Sequence, residues 1–189
     1  RFNDSLNLPN TNFSLAAAND TGFVTIRTSA SQTLKDANLN AHFKASKEGF
    51  TITFEPSTLL LNEKKWTIED ESDFFIGKGS VFSNGIKLTS GNEEIFAYTH
   101  PSEIGSYNDI IVELRKIQIG DILPYFLTDP LLEGSVTGRI DVMNPLGKMQ
   151  IDGRFTAEKF RFNNDSVGLV TINSNFNTTT GEINYEAES

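Results

Sequence analysis

LLEGSVTGRIDVMNPLGKMQIDGRFTAEKFRFNNDSVGLVTINSNF, residues 131–176, decides the fold. Every second residue of SVTGRIDV puts Val136, Gly138, Ile140 and Val142 on one face. Ser135, Thr137, Arg139 and Asp141 fall on the other. After an Asn144-Pro145-Leu146-Gly147 turn, Met149, Ile151, Gly153, Phe155 and Ala157 repeat the pattern, and Val170, Ile172 and Phe176 do so again. Side chains on a strand alternate between its faces, so neighbouring strands of this kind make a sheet with one apolar and one polar surface. Strands are expected at 135–142, 149–157, 160–162 and 168–176.

Working outward, the same period-two signal recurs upstream. It appears weakly at Phe13–Ala17, then in Phe23–Thr28, in Leu39, Ala41 and Phe43, and in Phe50, Ile52 and Phe54. Trp66 and Ile68, Phe74 and Ile76, Ile86 and Leu88, Phe96 and Tyr98, and Ile110, Val112 and Leu114 continue it. A Ser/Thr/Gln linker is expected at 28–33 and a turn at Thr178–Gly181. Gly91-Asn92 reads as a turn, and Asn84-Gly85 as a hairpin of the kind whose two central residues need φ > 0. Glycines inside strands, such as Gly134, Gly138, Gly153 and Gly168, suggest bends or bulges that curl a sheet. One segment looks helical: Gly120–Leu127, with Asp121 near its start and Pro124 in the first turn. At two turns it needs packing to persist, as a lid across a sheet edge. The expectation is one all-β domain over residues 1–189, with no fixed repeat and no composition break.

Composition narrows the function. The chain has 15 Phe against one Trp and 4 Tyr, a source of large buried area without polar atoms. Its net charge of −9 and the absence of any basic run exclude nucleic acid as a partner and oppose docking on an anionic membrane. With no Cys and two distant His, no metal or acyl-transfer constellation is visible. Glu69, Asp70, Glu71 and Asp73 form the densest acidic cluster, but without the residue order of an EF-hand, so a solvated turn is expected. Five Asn-x-Ser/Thr sequons, at Asn3, Asn12, Asn19, Asn164 and Asn177, read as products of Asn-rich turns. Neither a catalytic centre nor a cofactor is expected. A chain opening at Arg1, without an initiator Met, a signal peptide or a membrane-spanning run, reads as a piece of a longer protein with any anchor outside it.

From residue 56 onward a series of blocks occurs in order. P-x-x-L-L-L-N-x-x-x-W-T-I occupies 56–68 and F-x-N-G-I-x-L occupies 82–88. Ile117-Gln118-Ile119-Gly120-Asp121-Ile122-Leu123-Pro124 follows, then L-x-G-x-V-T-G-x-I-x-V at 132–142, I-D-G-x-F at 151–155 and F-x-x-N-x-D-S-V-G-L-V at 160–170. Their order resembles the TamB branch of the AsmA-like bacterial envelope proteins; residues 1–45 match nothing in that pattern. The resemblance implies a long curled antiparallel sheet, open along one side like a taco, with an apolar concave face. It implies a periplasmic, cell-envelope protein of a diderm bacterium that supports outer-membrane biogenesis. Phospholipid or other acyl chains and the outer-membrane assembly machinery would be its partners, and a membrane anchor would lie outside this stretch. The groove lining would be Val136, Ile140, Val142, Ile151, Phe155, Val170, Ile172 and Phe176. The residues alone admit a simpler alternative. Two apolar faces could pack on each other as a β-sandwich, serving as an adhesin or a carbohydrate-binding module.

Overall fold

The structure is a computed structural model that describes residues 11–29, 34–61, 63–68, 72–103, 107–122, 130–177 and 182–189. Its strands are β1 (Thr11–Ala18), β2 (Thr21–Ser29), β3 (Leu34–Ala45), β4 (Gly49–Phe54), β5 (Ser57–Leu61), β6 (Lys64–Ile68), β7 (Ser72–Gly77) and β8 (Ser80–Ser83). They continue with β9 (Ile86–Ser90), β10 (Glu93–His100) and β11 (Asp109–Gln118). After the single-turn helix α1 (Ile119–Ile122) come β12 (Leu132–Met143), β13 (Gln150–Phe162), β14 (Asp165–Asn177) and β15 (Glu182–Glu188).

All of these strands belong to one antiparallel sheet. From β9 to β15 each strand pairs with its sequence neighbours, whereas β3 to β9 interleave. β4 and β5 together form one long interrupted strand, because both pair with β3. β6 and β7 pair with β5 and β4 in turn. Likewise β8 pairs with β7, and β9 with β6 and β10. The interruptions at 55–56 and 84–85 fall at neighbouring heights. A second band of irregularities crosses β11 to β14, where register shifts fall between Leu114 and Ile117, Glu133 and Ser135, and Ala157 and Phe160. Lys116 (φ 51°), Gly134 (φ 142°), Lys159 (φ 52°) and Gly168 (φ 100°) mark this band. An extra residue on one strand bends it and sharpens its twist, so aligned irregularities curl a sheet across its strands. The product is one open curled sheet with one short helix.

The register keeps the apolar set together. Val136 faces Ala157, which faces Val170; Gly138 faces Phe155, which faces Ile172; Val142 faces Ile151, which faces Phe176. On the other side, Ile110, Val112 and Leu114 of β11 join the same face opposite Val142, Ile140 and Gly138. Ile95 and Ala97 of β10, then Leu88 and Ile86 of β9, carry it on. Trp66, Ala37, Ile117, Val136, Ala157 and Val170 are buried on this face, although the described strands form no second sheet over it. Along β12–β14 their neighbours Thr137, Arg139, Arg154, Thr156, Thr171 and Asn173 on the outer face are exposed.

Several expectations are corrected. The β-sandwich does not form, since the described strands share one sheet whose bends never bring two apolar faces together as layers. Asn84-Gly85 is not a hairpin. Asn84 is absent from the positive-φ residues, and both β8 and β9 run along β10, with the Ser83 amide donating to Thr99 Oγ1 at 2.9 Å. The hairpin lies earlier, at Lys78-Gly79 between the paired Gly77 and Ser80. The expected strands 149–157 and 160–162 are one strand, β13, joined through the bulge at Lys159; β12 and β14 are likewise longer than 135–142 and 168–176. The helix begins one residue earlier than expected and packs on β12 rather than over a sheet edge. Residues 123–127 of its expected span lie outside the described residues. So do 30–33 of the linker, Glu69–Glu71 and the Thr178–Gly181 turn. The turns at Gly91-Asn92 and Asn144–Gly147 form where expected, the latter closed by the Gly147 amide donating to the Asn144 carbonyl at 3.0 Å.

Candidate functional site

The eight residues expected to line a groove come from β12, β13 and β14, and the register places all eight on the apolar face. They divide into two sections. Val136 and Val170 are 7% and 6% exposed and form a cluster with Ala157, against which Ile119 of α1, Phe155, Phe160 and Ile172 pack. Ile140, Val142, Ile151, Phe155, Ile172 and Phe176 are half-buried, each with part of its side chain turned to solvent.

Phe155 shapes the floor of this open section. A Cβ added at Gly138 would meet the ring at 2.7 Å, and one added at Gly153 would meet it at 2.6 Å. The ring therefore lies flat across two glycines, one on its own strand and one on its neighbour. The same device recurs where Phe43 covers Gly22 near the β1–β2 turn. Large flat rings over glycine smooth the surface without raising it, which gives Phe43 and Phe155 a structural use.

The apolar face extends beyond these eight residues, through Leu114, Val112, Ala97, Ile95, Leu88, Ile68 and Trp66 on β11, β10, β9 and β6. Alternation marks each of these strands in the sequence, but only pairing shows that they share a face with β12–β14. Two hollows lie on the other surface. One of about 370 Å³ is lined by Asp152, Arg154, Asn173, Asn175 and Glu186, and one of about 560 Å³ by residues including Phe23, His42 and Lys44. These are open dents between outward-pointing side chains. The apolar face is the stronger candidate, because half-buried hydrophobic side chains recur on it from β9 to β14.

One polar cluster interrupts that face. Lys64 Nζ lies 2.5 Å from Glu93 Oε1 and 2.5 Å from Asp121 Oδ2. The other Glu93 oxygen accepts the Gln118 backbone N–H at 2.9 Å. Burial works against the Lys64 charge, but hydrogen bonds to Asp121 and Glu93 and the charges of both hold its pKa above the ordinary lysine value. Asp121 is thus an ion-pair partner rather than a helix cap. No pattern in the sequence announces this cluster, since Lys64 and Glu93 are 29 residues apart.

The outer face carries polar side-chain pairs, within and between strands. Tyr98 donates to Glu113 Oε1 at 3.0 Å, Arg139 pairs with Asp141 at 2.6 Å and Thr53 donates to Asp73 at 2.6 Å. His42 sits 2.6 Å from Glu55 and beside the Phe23 ring, and His100 Nδ1 lies 2.9 Å from the Pro101 carbonyl. Among the described residues, no group of three His, Cys, Asp or Glu could hold a metal ion, and no helix is long and apolar enough to cross a membrane.

No family model, curated protein or solved structure matches the chain.

Proposed function

We propose that this chain is a non-enzymatic cell-envelope protein of the TamB and AsmA-like kind, which holds phospholipid acyl chains along its apolar curled face. The observation that carries the reading is an apolar face on one open curled sheet, half-buried at Ile140, Val142, Ile151, Phe155, Ile172 and Phe176 of β12–β14. The chemistry is simple. Each methylene moved from water onto such a surface is stabilised by about 0.8 kcal/mol. About ten methylenes would give about 8 kcal/mol before the costs of ordering the ligand, enough for a measurable complex. The reading places the protein in the periplasm of a diderm bacterium, with an anchor elsewhere in the full protein and the outer-membrane assembly machinery as partner. The order of sequence blocks from residue 56 supports that placement.

The test uses Ile140→Asp and Phe155→Asp with a fluorescent fatty acid as probe. A carboxylate on an otherwise apolar floor should weaken probe binding at least about tenfold, because the charge is desolvated by the ligand. Far-UV circular dichroism should still report the sheet. A wild-type protein that binds no probe overturns the reading.

A further inference from the structure

Among the described residues, the apolar face carries one structure that no strand supplies, the single turn α1, and one cluster of charges, Lys64, Glu93 and Asp121. The two are connected. Ile119 of α1 packs, with Phe155, Phe160 and Ile172, against Val136, Ala157 and Val170. Asp121 of the same turn reaches Lys64 on β6, and Lys64 in turn reaches Glu93 on β10. In the sheet order β6, β9, β10, β11, β12, the ion pair therefore reaches back from the β11–β12 connection across three strands.

A helix of four residues has no stability of its own in water. Its place on the sheet depends on these contacts. At Gly120 an added Cβ would make ordinary contacts with Glu133 and the Leu132 carbonyl, 3.6 and 3.8 Å away. The two arms of the ion cluster also differ. Glu93 has 10% of its side chain exposed and accepts a backbone N–H as well, so it is a fixed anchor. Asp121 and Lys64 are 31% and 33% exposed, so solvent and salt reach the arm that holds α1.

We propose that α1 is a latched strap: Lys64, anchored on Glu93, holds Asp121 and keeps Val136, Ala157 and Val170 covered, and release of that arm opens this section of the apolar face to ligand. This rests on the lipid-holding reading only in its last clause. With the strap latched, the open section ends at Phe155 and Ile172. With the strap released, the surface runs on to the β13–β14 turn. Lys64 would then be a positioning residue that sets how much of the face a bound chain can use.

Hydrogen exchange in the intact chain tests the strap without any ligand. Asp121→Ala and Lys64→Met should speed amide exchange at Ile119–Ile122 about tenfold or more, while β12–β14 keep their protection. Lys64→Arg should restore slow exchange. High salt should speed exchange in the wild type and leave Asp121→Ala unchanged. Unchanged exchange at α1 in Asp121→Ala overturns the proposal, as does loss of protection spread equally over β6, β10 and β11, which would make the cluster a plain strut. In a second arm, a fluorescent fatty acid should bind Asp121→Ala with higher affinity or stoichiometry than wild type. If exchange changes as expected and the probe binds neither protein, the strap stands and the lipid reading falls. If both bind equally, the strap does not control access.

Discussion

Phe155 lies flat against Gly138, its cross-strand partner, and the missing side chain at Gly138 makes that contact possible. A Cβ at position 138 would approach Cδ1 of the ring to 2.7 Å and the Phe155 Cα to 2.9 Å. Gly138→Val should therefore destabilise the fold by about 1–3 kcal/mol, as overpacking does elsewhere. Combining it with Phe155→Leu should cost less than the sum of the two, because the residues share one contact. Urea unfolding followed by the fluorescence of Trp66, the only Trp and 2% exposed, measures both.

Lys159 holds a left-handed backbone, φ 52°, in the bulge that lets β13 run unbroken from Gln150 to Phe162. A non-glycine residue there is strained by roughly 1–2 kcal/mol, part of which glycine recovers despite its greater freedom in the unfolded chain. Lys159→Gly should raise the urea midpoint, by an amount equivalent to less than about 1 kcal/mol. Lys159→Val should lower it, since a β-branched residue tolerates that conformation least.

The pKa values of Lys64 and Tyr98 are both raised in the folded protein, from ordinary values of 10.5 and 10.0. For Tyr98 the causes are burial first, then the hydrogen bond it donates to Glu113. A group whose folded pKa is raised contributes stability in full below its unfolded pKa and loses it as pH rises through the folded one. The melting temperature should therefore fall above about pH 10, and the fall should be shallower in a Lys64→Met, Tyr98→Phe double variant. Equal slopes would show that other groups govern alkaline stability.

The faces of β12, β13 and β14 are legible in the sequence because alternation is a local property of each strand. Val136, Ile140, Val142, Ile151, Phe155, Val170, Ile172 and Phe176 share a face for that reason. Strand length is harder to read. At Lys159 and Gly168 the alternation slips while pairing continues, so one strand looks like two. Asn84-Gly85 carries hairpin chemistry, yet its backbone only bends, because both flanking segments find partners on β10. The Lys64, Glu93 and Asp121 cluster was not legible at all, since it exists only once β6, β10 and α1 are brought together. The division of the lining into covered and open sections depends on Ile119 and is equally long-range.

Native mass spectrometry of the protein purified without detergent tests the central claim most directly. The account predicts adducts with the mass of one or more phospholipids. It also predicts their loss in Ile140→Asp and Phe155→Asp variants that keep their sheet. A lipid-free spectrum from cells rich in phospholipid, or adducts that persist undiminished in both variants, would contradict it.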